Sequence, residues 1–338
     1  MDLKFYVVAD FRENFPSEVN TSIGHFNDHP SKQSILEIIN EIKNLGYFCE
    51  YFGGIPELIH AIDNKQKFEN AFFINLTDGL TQPYNRTQAP ILLDILDVPF
   101  SGSNVLGTTL MCNKYYTKLA LNEEPNIALP KDTLVSDYIP LNPNIIKNIG
   151  FPVIVKPNLG GSSIGIDSSS VCSNFTEVEN KVKTLIPIYK ELLIEHYIAG
   201  LDVTNFIIGN KDNFKINEVI INKLDSNSCF PIYGTDEKTN KKRVLCSGET
   251  EISSEILTKI KKNTETIFYK VNAFDIARVD YRLEFKTNIP YFLEINSAPR
   301  FSKTSEVGFI AEKFNISIKD IIKEYIISSL TRFNININ

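Results

Sequence analysis

Apolar residues in the first hundred positions follow two alternating rhythms. "LKFYVVAD" (3–10) is a short continuous apolar run, as in a buried strand. "SILEIINEIKNLGY" places Ile35, Ile38, Ile39, Ile42 and Leu45 on one face at helical spacing and stops at Gly46. "NAFFINL" is strand-like again, and "APILLDILDV" predicts a short helix before "PFSGS". Such alternation predicts βαβ units and a parallel sheet. A second unit begins near Lys114, with the strand "PVIVKP", a helix across "TEVENKVKTLI" and the strand "ELLIEHYI". From about residue 200 the pattern turns strand-rich. "DVTNFIIG", "NFKINEVII", "ARVDYRLEF" and "PYFLEIN" form two antiparallel-looking pairs around a long helix near 252–270. A capped helix closes the chain. Ser317 has Asp320 three residues on, and Ile318, Ile321, Ile322, Tyr325 and Ile326 share one face.

Composition narrows the function classes. The 338 residues, 43% apolar, suffice for two or three compact units. A net charge of −6 argues against nucleic acid as a partner, because a polyanion demands a basic face. No apolar run reaches membrane-spanning length, and "MDLKFYVVAD" reads as a strand and not as a signal peptide. Cys49, Cys112, Cys172, Cys229 and Cys246 are scattered without a C-x-x-C, which fits reduced thiols and a cytoplasmic location. His25 and His29 have the i, i+4 spacing of a metal pair, but Pro30 follows and no third ligand is near, so a surface loop is the expectation.

The chemistry concentrates in "RVDYRLEF" and "YFLEINSAPR". Asp280 lies in one strand, and Glu294 and Asn296, two apart in the next, point to one face. Two carboxylates and an amide oxygen make a hard-oxygen site that suits Mg²⁺, which keeps its other positions for phosphate and water. Arg278 shares the parity of Asp280, where a guanidinium can stabilise charge on a transferred group. A solvated face with ordinary ion pairs is the competing reading. A second signal is "VIVKPNLGGSSIGID" (153–167), a buried strand ending on Lys156 and followed by a glycine–serine loop. Bare backbone of this kind can cradle phosphate. Taken alone, "GGSS" favours the plainer reading of a glycine-rich turn.

The ordered set of motifs resembles the ATP-grasp superfamily, and within it the D-alanine–D-alanine ligase-like branch. "VKPNLGGSSIG" is similar to that branch's lysine strand and phosphate loop, and "LLIEHYIAG" to its adenine-binding hinge. "RVDYRLE" and "LEINSAP" resemble its metal strands, and "PFSGSNVLGTTLMCNKYYTK" its entry into the central domain. The resemblance covers the chain after about residue 70 and is weaker before it. It implies an α/β (α+β) ATP-grasp fold: an N-terminal parallel-sheet α/β domain over 1–108, a small central domain over 109–198 and a C-terminal mixed-sheet domain over 199–338. It also implies ATP, two Mg²⁺ ions (with Mn²⁺ as a substitute), small amino-acid or peptide-like substrates and, from close relatives, a homodimer.

Position by position, the resemblance implies that Lys114 and Lys156 contact the phosphates or the adenine side of the cleft. Gly161, Ser162 and Ser163 would cover the β- and γ-phosphates. Glu195, His196, Tyr197 and Ile198 would line the adenine, with backbone groups of His196 and Ile198 reading the base, and Asp202 would hold the ribose. Asp280, Glu294 and Asn296 would bind metal, and Arg278 would stabilise an acyl phosphate and the tetrahedral intermediate. The polar segment 229–246 resembles the lid of these ligases, with Lys238 near a phosphate-contacting lysine. Ser305 falls where the family holds the carboxylate of the second substrate. An acid would attack the γ-phosphate of ATP, and an amine would then attack the acyl phosphate.

Departures from the pattern cluster on the substrate side. Arg300 stands where the family has glycine, and Glu306 where it has an apolar residue. "ADFRENFPSEVN" replaces a glycine-paired loop, with Glu13 and Glu18 as candidates to orient an ammonium group. "FINLTDGLTQPYNRTQAP" replaces a His-Gly element. Arg300 predicts an anionic group on one substrate; the plainer alternative pairs it with Glu306 on the surface. The expected activity is an ATP-dependent carboxylate–amine ligase. D-alanine–D-alanine ligation itself, a nucleotide-binding regulatory module without turnover, and a phosphotransferase are the alternatives.

Overall fold

The computed structural model describes residues 3–15, 29–80, 84–161, 163–210, 213–224, 243–297 and 301–336. The first three strands, β1 (Lys4–Val8), β2 (Phe48–Gly53) and β3 (Ala71–Asn75), form a parallel sheet in the order β2-β1-β3. Alternation along β1 sends Phe5 and Val7 to one face and Val8 to the other. Helix α1 (Lys32–Asn44) covers the first face with Ile35, Ile38, Ile39 and Ile42. Ser31 caps it by accepting from Ser34 N–H, and the Glu13 carboxylate accepts from Lys32 N–H at 3.1 Å. Glu13 therefore anchors a helix start. Ile42 is fully buried, so truncation to alanine would cost about 2–5 kcal/mol. On the second face, α2 (Ile55–Asp63) and α3 (Gln88–Ile95) bury Leu58, Ala61, Ala89 and Leu93 against Val8 and Phe73.

Two short helices, α4 (Val105–Cys112) and α5 (Lys114–Leu121), lead into an antiparallel sheet. It contains β4 (Asp132–Ser136), β5 (Val153–Pro157), β6 (Val171–Cys172) and β7 (Glu191–His196) in the order β4-β7-β5-β6. Helices α6 (Pro143–Ile149) and α7 (Phe175–Tyr189) pack Ile146, Ile149, Val178, Val182 and Leu185 on one of its faces.

The third sheet has the order β10-β9-β8-β11-β12, built from β8 (Gly200–Asn210), β9 (Asn213–Leu224), β10 (Arg243–Ser247), β11 (Ile276–Glu284) and β12 (Pro290–Asn296). Its strand pairs are antiparallel, and an isolated parallel bridge joins Ala128 to Tyr291 at its β12 edge. Helix α8 (Ser254–Lys270) packs Ile260, Ile267 and Phe268 against Ala277, Val279 and Tyr281 of β11. The alternate residues of that strand, Arg278, Asp280 and Arg282, are thereby turned to the opposite face. Helices α9 (Glu306–Phe314) and α10 (Ile318–Arg332) close the chain. Ile321, Ile322, Tyr325 and Ile326 share one core with Phe5 and Val7 of the N-terminal sheet, with Ile35 of α1 and with Phe206 and Ile208 of β8. Arg332 fastens this junction. It meets Asp275 Oδ2 at 3.0 Å and donates to the carbonyls of Phe100 and Gly102 at 2.7 and 2.9 Å.

Candidate active site

A cleft of about 750 Å³ opens between the central sheet and the polar face of β11 and β12. Lys114, Lys156, Gly161, Ser163, Glu195, His196, Tyr197, Ile198, Asp202, Arg278, Asp280, Glu294, Asn296, Ser305 and Glu306 all line it. Residues dispersed over almost two hundred positions thus meet in one cavity. Ser162, Lys238, Arg300 and Glu18 lie outside the described residues.

At one end, register pairs Arg278 with Asn296 and Asp280 with Glu294, and a bulge follows Asp280. Arg278 grips Asp280, Nη2 to Oδ2 at 2.9 Å. Thr204 Oγ1 donates to Asp280 Oδ1 at 2.8 Å, and Asn222 supports Thr204 from behind at 3.0 Å. Asn296 Nδ2 donates to Asp280 Oδ2 at 3.1 Å, and Lys114 Nζ lies 3.3 Å from Glu294 Oε2. Burial raises the Asp280 carboxyl above its ordinary range. Arg278 pulls it down, and the neighbouring carboxylate of Glu294 pushes it further up. Burial works against the Arg278 charge, but Asp280 and Glu306 outweigh it, so the guanidinium stays protonated. The donor set of two carboxylates and an amide fits a hard cation that completes its shell with phosphate and water. Groups of three or more His, Cys, Asp or Glu in metal-binding array are absent among the described residues.

Lysines define the middle of the cleft. Asn158 is fully buried and pins the start of α5 to the end of β5. Its Oδ1 accepts from Tyr115 N–H at 2.9 Å, and its carbonyl accepts from Lys114 N–H at 3.2 Å. Lys114 is thereby aimed at the glycine loop, where its Nζ donates to the Gly160 carbonyl at 2.6 Å. Gly160 has φ +87°, and an added Cβ would meet nothing within 4 Å, which leaves this backbone bare towards the cavity. Lys156, 5% exposed, pairs with Glu195, whose other oxygen pairs with Lys118. Burial lowers the Lys156 ammonium below its ordinary range, and Lys118 and Lys114 add to that while Glu195 opposes it. Burial alone would raise Glu195, yet the flanking lysines prevail and hold it below the usual carboxylate range.

The far end presents a hinge and a buried acceptor. His196 N–H donates to the Lys131 carbonyl at 2.9 Å, and the Ile198 carbonyl accepts from Arg282 Nε at 3.0 Å. Two of the four backbone groups expected to read a base are thus engaged within the protein. Asp202 Oδ1 pairs with Arg282, whereas its Oδ2 is buried without a hydrogen-bond partner among the described residues. An acceptor in that state fits a hydroxyl donor such as a ribose.

The substrate end departs most from expectation. Glu306 is 4% exposed, and its Oε1 lies 3.9 Å from Arg278 Nη1. Glu306 therefore sits buried at the start of α9, facing the cleft and not the surface; the alternative partner weighed for it, Arg300, lies outside the described residues. Ser305 caps that helix. Its Oγ accepts from Val307 N–H at 3.3 Å and donates to the Ser302 carbonyl at 2.8 Å. Asp78 and Arg86 pair with each other and line both the cleft and a smaller cavity beside Glu294 and Asn296. His29 is corrected too. It is 2% exposed and donates through Nε2 to the Gly79 carbonyl at 2.6 Å, so it is a buried strut of this loop. Sequence reasoning passed over Lys118, Arg282 and the Asp78–Arg86 pair. Arg282 shares the parity of Asp280, and Lys118 lies one helical turn from Lys114, so both carried a usable signal.

Comparison with known proteins converges on one group. A family profile described as "D-ala D-ala ligase C-terminus" matches residues 116–327. A D-alanine–D-alanine ligase of Carboxydothermus hydrogenoformans is 26% identical over 246 residues, covering 71% of this chain and 75% of the relative. One from Wigglesworthia glossinidia brevipalpis is 28% identical over 272 residues, covering 80% and 75%. Among solved structures, a D-alanine–D-alanine ligase from Bacillus anthracis complexed with ATP superimposes with a TM-score of 0.72 at 22% identity, covering 98% of each chain. The VanG D-Ala:D-Ser ligase from Enterococcus faecalis superimposes with a TM-score of 0.69 at 15% identity, covering 97% of this chain and all of that one. At these identities the structural likeness speaks to fold.

Proposed function

The chain belongs to the D-alanine–D-alanine ligase family, ATP-grasp enzymes that form C–N bonds, and from that premise we propose that it joins the carboxylate of one amino acid or amino-acid-like substrate to the amine of another. ADP and phosphate are the by-products. The observation that carries this reading is the meeting, in one cleft, of Arg278, Asp280, Glu294 and Asn296 with Lys114, Lys156 and the bare glycine loop. Asp280, Glu294 and Asn296 would hold Mg²⁺, two ions in this proposal, and the chemistry it supplies there would be positive charge to offset that of the phosphates. Lys114 rests on Glu294 and the Gly160 carbonyl beside the glycine loop, where its ammonium would pair with phosphate oxygens. Arg278 would steady the oxyanion of the tetrahedral intermediate. The His196 carbonyl and the Ile198 N–H suit the amino group and ring nitrogen of adenine, and the Asp202 Oδ2 suits a ribose hydroxyl. Enclosure by the glycine loop would exclude water, which hydrolyses acyl phosphates.

The names of the relatives favour D-alanine for both substrates. The charged groups of Asp78, Arg86 and Glu306 at the substrate end favour a more polar partner. We extend the latter reading to Arg300 and expect one substrate to carry an anionic group. The test is ADP and phosphate release with Mg·ATP against pairs of D- and L-amino acids, with mass detection of product. An amide supports the proposal. A phosphorylated substrate, or tight ATP binding without turnover on any pair, overturns it.

A further inference from the structure

Helix α5 carries a second lysine one turn beyond Lys114. Lys118 is 3% exposed and, unlike Lys114 and Lys156, does not line the cleft. Its Nζ lies against Glu195 Oε2 and, at 3.1 Å, against Asp132 Oδ2. The other oxygen of Glu195 holds Lys156, and both of those residues do line the cleft. One buried carboxylate is therefore shared between a lysine that faces the ligand and a lysine that does not. In surroundings this dry, a carboxylate paired with Lys156 alone would cancel its charge. An ammonium tied to its own counter-ion has little left to offer a phosphate.

We propose that Lys118 is a positioning residue for nucleotide binding. By engaging Glu195 from behind, it leaves Lys156 only partly offset by that shared carboxylate, at a fixed place beside the glycine loop. The anionic ligand this favours is the phosphate chain of a nucleoside triphosphate. Lys118, Asp132, Glu195 and Lys156 together are electrically balanced, so deleting Lys118 leaves a net negative charge behind the ammonium that meets the phosphates. The inference rests on the reading that Lys156 contacts those phosphates, and Lys156→Met checks that reading separately. The rival account is a plain strut tying α5 to β4 and β7.

The two accounts differ in sign. Calorimetric titration of the full chain with ATP, and with adenosine as a probe lacking phosphate, distinguishes them. Lys118→Met should weaken ATP binding about ten- to a hundredfold, the range for one charge-assisted contact, and adenosine binding less than about threefold. Adding Glu195→Gln to Lys118→Met removes the uncompensated carboxylate and should restore most of the ATP-to-adenosine ratio. Lys118→Arg, which keeps the charge, should retain it. If Lys118→Met fails to fold, Asp132→Asn still decides. It concentrates Lys118 on Glu195, so ATP binding should hold or tighten, whereas a weakened strut would loosen it. Parallel losses of ATP and adenosine, no recovery in the double variant, or weaker ATP binding in Asp132→Asn would each overturn the proposal. Unchanged ATP binding in Lys156→Met would instead overturn the reading of Lys156 on which it stands.

Discussion

Asp202 offers a sharp test of how the cleft holds a nucleotide. Its Oδ1 is committed to Arg282, and its Oδ2 is a buried acceptor without a partner among the described residues. A charged acceptor hidden from water is costly until a donor arrives. A ribose hydroxyl there would contribute about 1.5–3 kcal/mol, the usual worth of a hydrogen bond to a charged group, or about ten- to a hundredfold in Kd. The perturbation is made on both sides of the contact. Titration calorimetry at fixed Mg²⁺ compares ATP with 2′-deoxy- and 3′-deoxy-ATP, on the native chain and on Asp202→Asn. The native chain should bind one deoxynucleotide about tenfold or more weakly than ATP. Asp202→Asn should bind ATP at nearly that weakened level and lose most of the discrimination. Asparagine keeps an oxygen for Arg282, which also donates to the Ile198 carbonyl at 3.0 Å and the Tyr197 hydroxyl at 3.1 Å, so the fold should survive. A thermal melt verifies this. Equal binding of ATP and both deoxynucleotides by the native chain would refute the assignment.

Other expectations follow from the same geometry. Glu294→Gln removes a charged oxygen from the metal end and should abolish turnover with little change in melting temperature; near-native turnover would remove Glu294 from the metal set. Gly161→Val places a branched side chain on backbone that lines the cleft, so KM for ATP should rise, with kcat falling if the loop must close. Unchanged ATP kinetics would return the loop to an ordinary turn. Glu195 is held below its ordinary 4.5, so the unfolded chain binds its proton first as pH falls. Its stabilisation is therefore complete above about pH 4.5 and lost as pH falls through the lower folded value. Asp132, raised by burial, contributes with the opposite sign, so the comparison is urea unfolding of native chain against Glu195→Gln between pH 3 and 6. The native chain should show the steeper loss on acidification, and parallel curves would contradict the buried bridge.

Periodicity carried the elements with one strong rhythm. The isoleucines of α1 and the capping pair of Ser317 and Asp320 define their helices, and both stand as read. Parity within β11 and β12 brought Arg278, Asp280, Glu294 and Asn296 to one face, because a strand's period leaves no other choice. The helices α4 and α5 were harder to see. Their eight residues each are too short for a periodic stripe, and their starts rest on the side chains of Asn104 and Asn113. Missing α5 meant missing Lys118, whose partners Asp132 and Glu195 lie on two strands far along the chain. No local pattern encodes that meeting. The burial of His29, in a loop, and of Glu306, at the first turn of α9, was equally hidden, since the environment of each is made by distant segments.

The central claim is that a substrate carboxylate takes the γ-phosphoryl group before an amine displaces it. Turnover of a reactive pair with ¹⁸O at both carboxylate oxygens of the acid substrate tests this most directly, with mass analysis of the phosphate released. The account predicts one ¹⁸O atom carried from the carboxylate into inorganic phosphate for each amide formed. Phosphate free of the label during amide formation would contradict it.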